Sequence, residues 1–368
     1  TLYHLIFIVK IKNIMKVCII GDGIVSLTLA KALTNEGIYV DVYSNKNLKI
    51  INKSRTLGIS KANVNFYNNN ILNIQKLLWK VNKIEIYSEN LKKEKILNFE
   101  NEGKELFSVI KNYDLYNLLE QSLLNNILFK KKKNCKNINP ENYKLVINCD
   151  IKSFFSKKYF FKKIEKNYNS LAFTSVIEHE KIDNNTAVQV FTKKGPLAFL
   201  PISKEKTSVV YSVRKLKEID LSDELKKYNI KYKIKKINPI SSFELKGSNL
   251  RTYHYKNILA FGDLLHKLHP LAGQGFNMTI RDINILLNLV KFNLRHGLDI
   301  NNQICSNFEN KNKHKNYLFS HGIDFFYEFF NFESKTKNKI LSKSVQIVGK
   351  NKYFNKFFTN LADKGLVI

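Results

Sequence analysis

Residues 262–277, GDLLHKLHPLAGQGFN, set an aspartate, two histidines, a proline and several glycines between a short apolar run, NILAF, and a helix-like segment, MTIRDINILLNLVKF. A plain connection needs only a turn and a helix cap, so this one is expected to hold something. His266 and His269 stand three apart, a spacing that can serve a metal. No H-E-x-x-H motif or carboxylate set accompanies them, so no metal is expected. Structural hydrogen bonding accounts for both rings, with a place beside a bound group as the alternative for His269 and Pro270.

The rest of the stretch has a more definite chemistry. Gly273-Gln274-Gly275-Phe276-Asn277 opens a long helix with bare backbone N–H groups. A helix start carries roughly half a positive charge. Aimed at the pyrimidine edge of a flavin, it would stabilise the anionic reduced ring. Asp263 ends an apolar strand, where a carboxylate either bonds a ribityl hydroxyl or serves as a turn acid. A second glycine turn lies near the N-terminus. Gly21-Asp22-Gly23-Ile24-Val25-Ser26 reads G-x-G-x-x-S directly after the apolar run KVCII. The first glycine permits the tight turn, and the second admits a pyrophosphate to the helix start. Ser26 is small enough for close helix–strand packing. An acid usually ends the next strand and bonds ribose. Here that slot holds Ser44, which offers a hydroxyl without charge, with Asp41 three residues earlier.

The elements that must position these groups follow from periodicity. KVCII, the helix LTLAKALTNEG and the strand IYVDVYS form a strand–turn–helix–strand unit, the start of a dinucleotide-binding fold. KIEIYS and KILNFE alternate like strands of a different sheet. Helical periodicity covers 112–129, the lysines at 130–133 are expected in a solvated loop, and KLVINCD is a buried strand ending in Asp150. Residues 170–213 are strand-rich, and the last part of the chain reads as amphipathic helices with an aromatic cluster, DFFYEFFNF. The expected fold is therefore α/β. A Rossmann-like nucleotide-binding domain (15–75, 112–165 and 246–300) is interleaved with a β-sheet domain (76–111 and 166–245). A helical region (301–368) follows, and the site lies at the seam of the two lobes.

Composition narrows the class. The 368 residues carry a formal charge of +30, but only five of the 61 basic residues are arginine, and asparagine and isoleucine are also abundant. That pattern reads as charge spread over a solvated surface, with attraction to an anionic membrane second. No zinc finger, Arg-rich arm or RNA-binding signature supports a nucleic-acid partner. Cys18, Cys135, Cys149 and Cys305 form no C-x-x-C pair, which fits a reducing cytoplasm. The apolar start TLYHLIFIV is too short to span a bilayer and lacks the marks of a signal peptide.

GDLLHKLHPLAGQGFNMTIRDINIL resembles the second flavin motif of the ubiquinone-biosynthesis hydroxylases, flavin monooxygenases that oxidise polyprenyl phenols. RTLGIS at 55–60 resembles the family's arginine segment, and TAVQVFTKKGPLAFLPI at 186–202 resembles a strand pair of its substrate domain. The resemblance implies an aromatic-hydroxylase-like fold. Arg55 would contact the flavin nucleotide. Gly21, Gly23, Ser26, Ser44, Asp150 and Asp263 would hold pyrophosphate, ribose and ribityl groups, and 270–277 would line the ring. Two departures stand out: the family's Asp-Gly pair reads Asp150-Ile151, and Tyr113 stands about where an arginine often sits.

By the same resemblance the chain is an FAD-dependent monooxygenase with NAD(P)H as electron donor and O2 as co-substrate. A flavin hydroperoxide would hydroxylate the ring of a polyprenyl phenol in ubiquinone biosynthesis, with no metal and no protein nucleophile. Such a protein would sit in the cytoplasm, peripheral on the inner membrane, within reach of a ubiquinone-biosynthesis complex. The departures motivate a second reading, a non-catalytic flavoprotein-like subunit that binds lipid or supports that complex. A flavin reductase or dehydrogenase on the same fold is a third.

Overall fold

Lys16–Ile20 (β1) is buried along nearly its whole length, as a strand covered on both faces must be. It leads through the glycine turn into Ile24–Asn35 (α1) and then Tyr39–Ser44 (β2), which pairs parallel with β1. The computed structural model describes residues 15–44, 54–89, 94–100, 105–135, 138–214, 219–270, 273–336 and 339–365. The apolar start at 1–9, and Leu271 and Ala272 of the flavin-like motif, lie outside them.

Thr56–Ser60 (β3) and Lys61–Asn70 (α2) follow, then four strands: Trp79–Val81 (β4), Lys83–Ser88 (β5), Lys95–Glu100 (β6) and Phe107–Lys111 (β7). Asn112–Leu124 (α3) ends earlier than its periodicity suggested. The lysine run is not a loop. Phe129–Lys133 (β8) pairs parallel with β2 at the end of the sheet. Lys132 reaches the buried Asp41 at 2.7 Å and Lys131 meets Glu120 at 2.8 Å. An edge strand tolerates lysines because its outer side faces water.

Leu145–Asn148 (β9), Phe154–Tyr159 (α4) and the long Lys163–His179 (β10) come next. Thr186–Phe191 (β11), Pro196–Pro201 (β12), Lys206–Arg214 (β13), Leu221–Tyr228 (α5), Ile234–Ile237 (β14) and Ser241–Leu250 (β15) build the second lobe. His254–Tyr255 (β16) and Ile258–Ala260 (β17) return the chain to the first, and His266–Lys267 (β18) pairs with β15 of the second. Four helices close it: Gln274–Arg295 (α6), Asn302–Thr336 (α7), Lys339–Gly349 (α8) and Lys352–Lys364 (α9).

These strands form three sheets. The first runs β16-β17-β9-β1-β2-β8, parallel except at β16, and the largest runs β18-β15-β10-β13-β12-β11-β5-β6, with β14 also on β10. A small antiparallel sheet, β3-β7-β4, stands between them. Separate apolar cores fill the first sheet and the β10–β13 region. The Thr56 hydroxyl donates to Ser208 at 2.8 Å, tying the small sheet to the large one. Among the described residues, no helix is long and apolar enough to cross a membrane. The aromatic cluster of α7 divides. Phe330 stacks on Phe191 of β11 with centroids 3.7 Å apart, while Phe325 and Phe332 are exposed.

Candidate active site

The carboxyl ends of β17, β9, β1 and β2 lie side by side, the edge where open α/β sheets bind ligands. Backbone bonds knit the turns that leave these ends. The Phe261 N–H donates to the Asn148 carbonyl at 2.9 Å, Cys149 N–H to Ile20 at 2.9 Å and Gly21 N–H to Tyr43 at 2.8 Å. Gly21 has φ +112, a conformation side chains disfavour. A Cβ there would meet the Ser26 hydroxyl at 3.2 Å and Cys149 at 3.5 Å. Ser26 is buried beneath the turn, so it packs helix against strand as its size suggested.

Gly23 caps α1 with no side-chain cap, and nothing lies within 4 Å of where its Cβ would be. The first turn of α1 thus lacks a side-chain cap beside a space left open by Gly23, which suits a phosphate. Ser44 is buried and its hydroxyl donates to the Asp22 carboxylate at 2.6 Å. Asp41 is occupied elsewhere. It takes Lys16 at 2.9 Å, Lys132 at 2.7 Å and the Tyr143 hydroxyl at 2.8 Å. Burial works against its charge, but these partners prevail and hold the carboxyl below its ordinary range.

Asp150 builds its own turn. Its carboxylate accepts from Lys152 N–H at 2.9 Å and its carbonyl from the Ser156 hydroxyl at 2.6 Å. Ile151, in the place of the family's glycine, has no positive φ and is 41% exposed, so the substitution costs no backbone strain. Asp263 stands exposed in the short turn Gly262–Leu264, while Gly262, at φ +64, abuts Val25 of α1. Burial pushes the Cys149 thiol up to about 12; the Ser26 hydroxyl opposes the rise, and the nearby charges of Asp150 and Asp263 add to it. Both acids are thus placed around one point at the strand ends.

The start of α6 is fixed on β3. Gly273 adopts φ +64, and a Cβ there would lie 3.5 Å from the Gly58 nitrogen. The buried Asn277 side chain is held by the protein itself. It accepts from Ser60 N–H at 2.8 Å and from the Asn63 amide at 2.9 Å, and it donates to the carbonyls of Gly58 at 3.0 Å and Gly273 at 3.2 Å. Its role is to hold the turn. Gly275, one residue into the helix, has nothing within 4 Å of its Cβ position. The Gln274 Oε1 is buried without a hydrogen-bond partner, an orphan that a ligand donor would satisfy. Phe276 lies half-buried against the main core. Arg55, exposed at the start of β3, is held through its carbonyl by Asn112 N–H at 3.0 Å, which brings the start of α3, with Tyr113, next to it.

The two histidines part company. His266 bonds Asp282 of α6 at 2.5 Å, and Asp282 accepts from Asn316 of α7 at 3.0 Å, a buried structural chain. His269 is buried between Tyr168 of β10 and Tyr327 of α7, centroids 4.9 and 4.2 Å away, and neither ring nitrogen has a partner. Burial, then the charges of Lys166 and Arg214, lower its pKa to about 3, so the ring is neutral. Pro270 follows at the half-buried edge of the turn. Sequence reasoning missed Tyr168, Tyr327 and Arg214, which come from three distant segments with no shared pattern. It also missed Asp22, visible in the glycine motif but read there as a spacer.

No family model matches the chain. It is 28% identical over 142 residues to the ubiquinone hydroxylase UbiL of Rhodospirillum rubrum, covering 36% of this chain and 33% of that one. To the 3-demethoxyubiquinol 3-hydroxylase of Escherichia coli it is 25% identical over 162 residues, 41% of each chain. The chain thus spans about two fifths or less of the length of these curated relatives. Its fold superposes on HpxO of Klebsiella pneumoniae, a variant complexed with FAD, with a TM-score of 0.72 and 14% identity, covering 95% of this chain and 99% of that one. The chain is similar to the ubiquinone-biosynthesis hydroxylases. Its fold is the aromatic-hydroxylase type expected from the motifs.

Proposed function

We propose that the protein is an FAD-dependent monooxygenase that hydroxylates the aromatic ring of a polyprenyl phenol in ubiquinone biosynthesis, using NAD(P)H and O2. One observation carries the reading. Two glycine-opened helices, α1 and α6, start beside open space at Gly23 and Gly275, with an orphaned Gln274 oxygen at the second. These residues fit a dinucleotide whose pyrophosphate meets α1 and whose ring meets α6. FAD, once bound, supplies the redox and oxygen chemistry.

The chain's own residues bind, orient and shield. Gly21, Gly23 and Ser26 shape the pyrophosphate turn, and Asp150 and Asp263 stand where hydroxyls of the linker can be met. Arg55 is exposed for a contact with the nucleotide. Gly273 and Asn277 fix the α6 start, so its N–H groups point one way without reorganising. The neutral His269, buried at the seam, can donate or accept one hydrogen bond without bringing charge into a water-poor space.

The second lobe would take the phenol. The exposed Phe325 and Phe332 on α7 and the chain's formal charge of +30 support rest on an anionic inner-membrane face where the isoprenoid tail resides. There the protein would join other enzymes of the pathway.

The test is direct. Purified protein should be yellow, and should oxidise NAD(P)H faster when a prenyl phenol is added. Labelled O2 should deliver one labelled oxygen to the ring. Flavin binding without oxygen incorporation would favour a reductase. Colourless protein that takes up no FAD would leave the non-catalytic subunit, a reading to which the Ile151 departure points.

A further inference from the structure

The second strand of a dinucleotide-binding fold ordinarily ends in the acid that grips the ribose hydroxyls. In this chain β2 ends in Ser44, and its one acid, Asp41, is committed to Lys16, Lys132 and Tyr143. A carboxylate is nonetheless present at the strand end. Asp22, the middle residue of the glycine turn, lies with its Oδ2 2.6 Å from the Ser44 hydroxyl. That distance is in the range of an O–H donor to an ionised acceptor. The backbone that carries the pair is fixed as well. The Gly21 N–H bond to the Tyr43 carbonyl, at 2.8 Å, fixes the turn against the last residues of β2. Gly23, next along, faces open space.

We propose that Asp22, held by Ser44, is the carboxylate that selects the adenosine ribose, having moved from the strand end into the glycine turn. The inference rests on the FAD reading above and names a specificity residue within it. The physical argument is that a vicinal diol needs a strong acceptor. A lone serine hydroxyl gives a neutral bond, whereas a carboxylate gives a charge-assisted one about twice as strong. Ser44 then spends its proton on orienting Asp22 and acts as a positioning residue.

The experiment uses the full chain, with FAD affinity read by quenching of flavin fluorescence and ADP and 2′-deoxy-ADP as competitors. Wild type should bind FAD and prefer ADP over its 2′-deoxy form. Asp22→Asn should weaken FAD and ADP by about 10-fold or more and erase that preference. Ser44→Ala should show a smaller loss of the same kind. Asp22→Ala combined with Ser44→Asp, which returns the acid to the strand end, should recover both affinity and preference. Thermal unfolding of each variant shows whether the turn has kept its fold. The inference is overturned if Asp22→Asn binds FAD as wild type does. It is equally overturned if ADP and 2′-deoxy-ADP weaken together with the preference intact, the mark of a merely structural turn. Wild type that binds no FAD would overturn the cofactor reading and this inference with it.

Discussion

His269 gives the sharpest quantitative test. Its ring is buried, flanked by Tyr168 and Tyr327, with both nitrogens unpartnered. The charges around it come from Lys166 on β10, Arg214 on β13, and Asp324 and Glu328 on α7, the two acids lying 3.6 and 3.3 Å from Lys166. Burial first, then the two cations, bring its pKa from 6.5 to about 3. Below pH 6.5 the unfolded chain takes a proton here that the folded chain refuses, so stability falls with pH from about 6.5 toward 3. One pKa unit is worth about 1.36 kcal/mol, so going from pH 7 to pH 5 this group alone should cost about 2 kcal/mol. His269→Phe keeps the aromatic stack and removes the titration. At pH 7 its effect is a contest between losing unpartnered nitrogens and adding ring volume, so that value alone decides nothing. The comparison of the two pH values does decide. Urea unfolding at pH 7 and pH 5 should show wild type losing about 2 kcal/mol more than His269→Phe. All other titrating groups are common to both proteins and cancel. Equal losses would mean that the imidazole is solvated or partnered in the folded protein, and would remove the basis for calling it neutral at the seam.

The other predictions concern the α6 start. Asn277→Ala strips partners from the buried Ser60 N–H and Gly58 carbonyl, while the Asn63 amide keeps the Asn277 carbonyl at 3.1 Å, and should destabilise by about 2 kcal/mol in urea unfolding, at about 1 kcal/mol or more per orphaned group. Flavin affinity should fall with it, because the Gly273–Gly58 contact loosens. Gly275→Leu should leave stability unchanged or raise it by up to about 1 kcal/mol, since glycine is a poor helix residue and the new side chain meets open space. The same variant should lose FAD in a fluorescence titration. A stable Gly275→Leu protein that still binds FAD would show that the open space serves something else. Gly23→Val should exclude pyrophosphate at the α1 start in the same titration, with a stability loss of up to about 1 kcal/mol because valine is a poor helix cap.

Local signals made much of this legible. The period-2 runs and the strand–glycine–helix unit at 16–44 depend on neighbours in the chain, and the fold they imply is the one observed. Of the glycines singled out by spacing, Gly21 and Gly273 have the positive φ that a sharp turn before a helix demands. Composition misled at the lysine run. Four adjacent lysines look like solvated loop until β2 is there to pair with them, and pairing is a long-range property. The His266/His269 pair shows the same limit. Three residues apart, the two rings could have served one site, but the tertiary fold sends one to Asp282 and the other between two tyrosines.

What the sequence alone determined is therefore the alternation of elements and the glycine turns, because these are set by sterics and burial within a few residues. What only the tertiary structure decided is which polar group faces which. Asp22 meets Ser44 across 22 positions, Asn277 meets Gly58 across 219, and Asp41 is claimed by Tyr143 across 102. A hydrogen bond acts over about 3 Å and carries no mark in the order of residues, so its partners are fixed only when the sheets and helices have closed on one another.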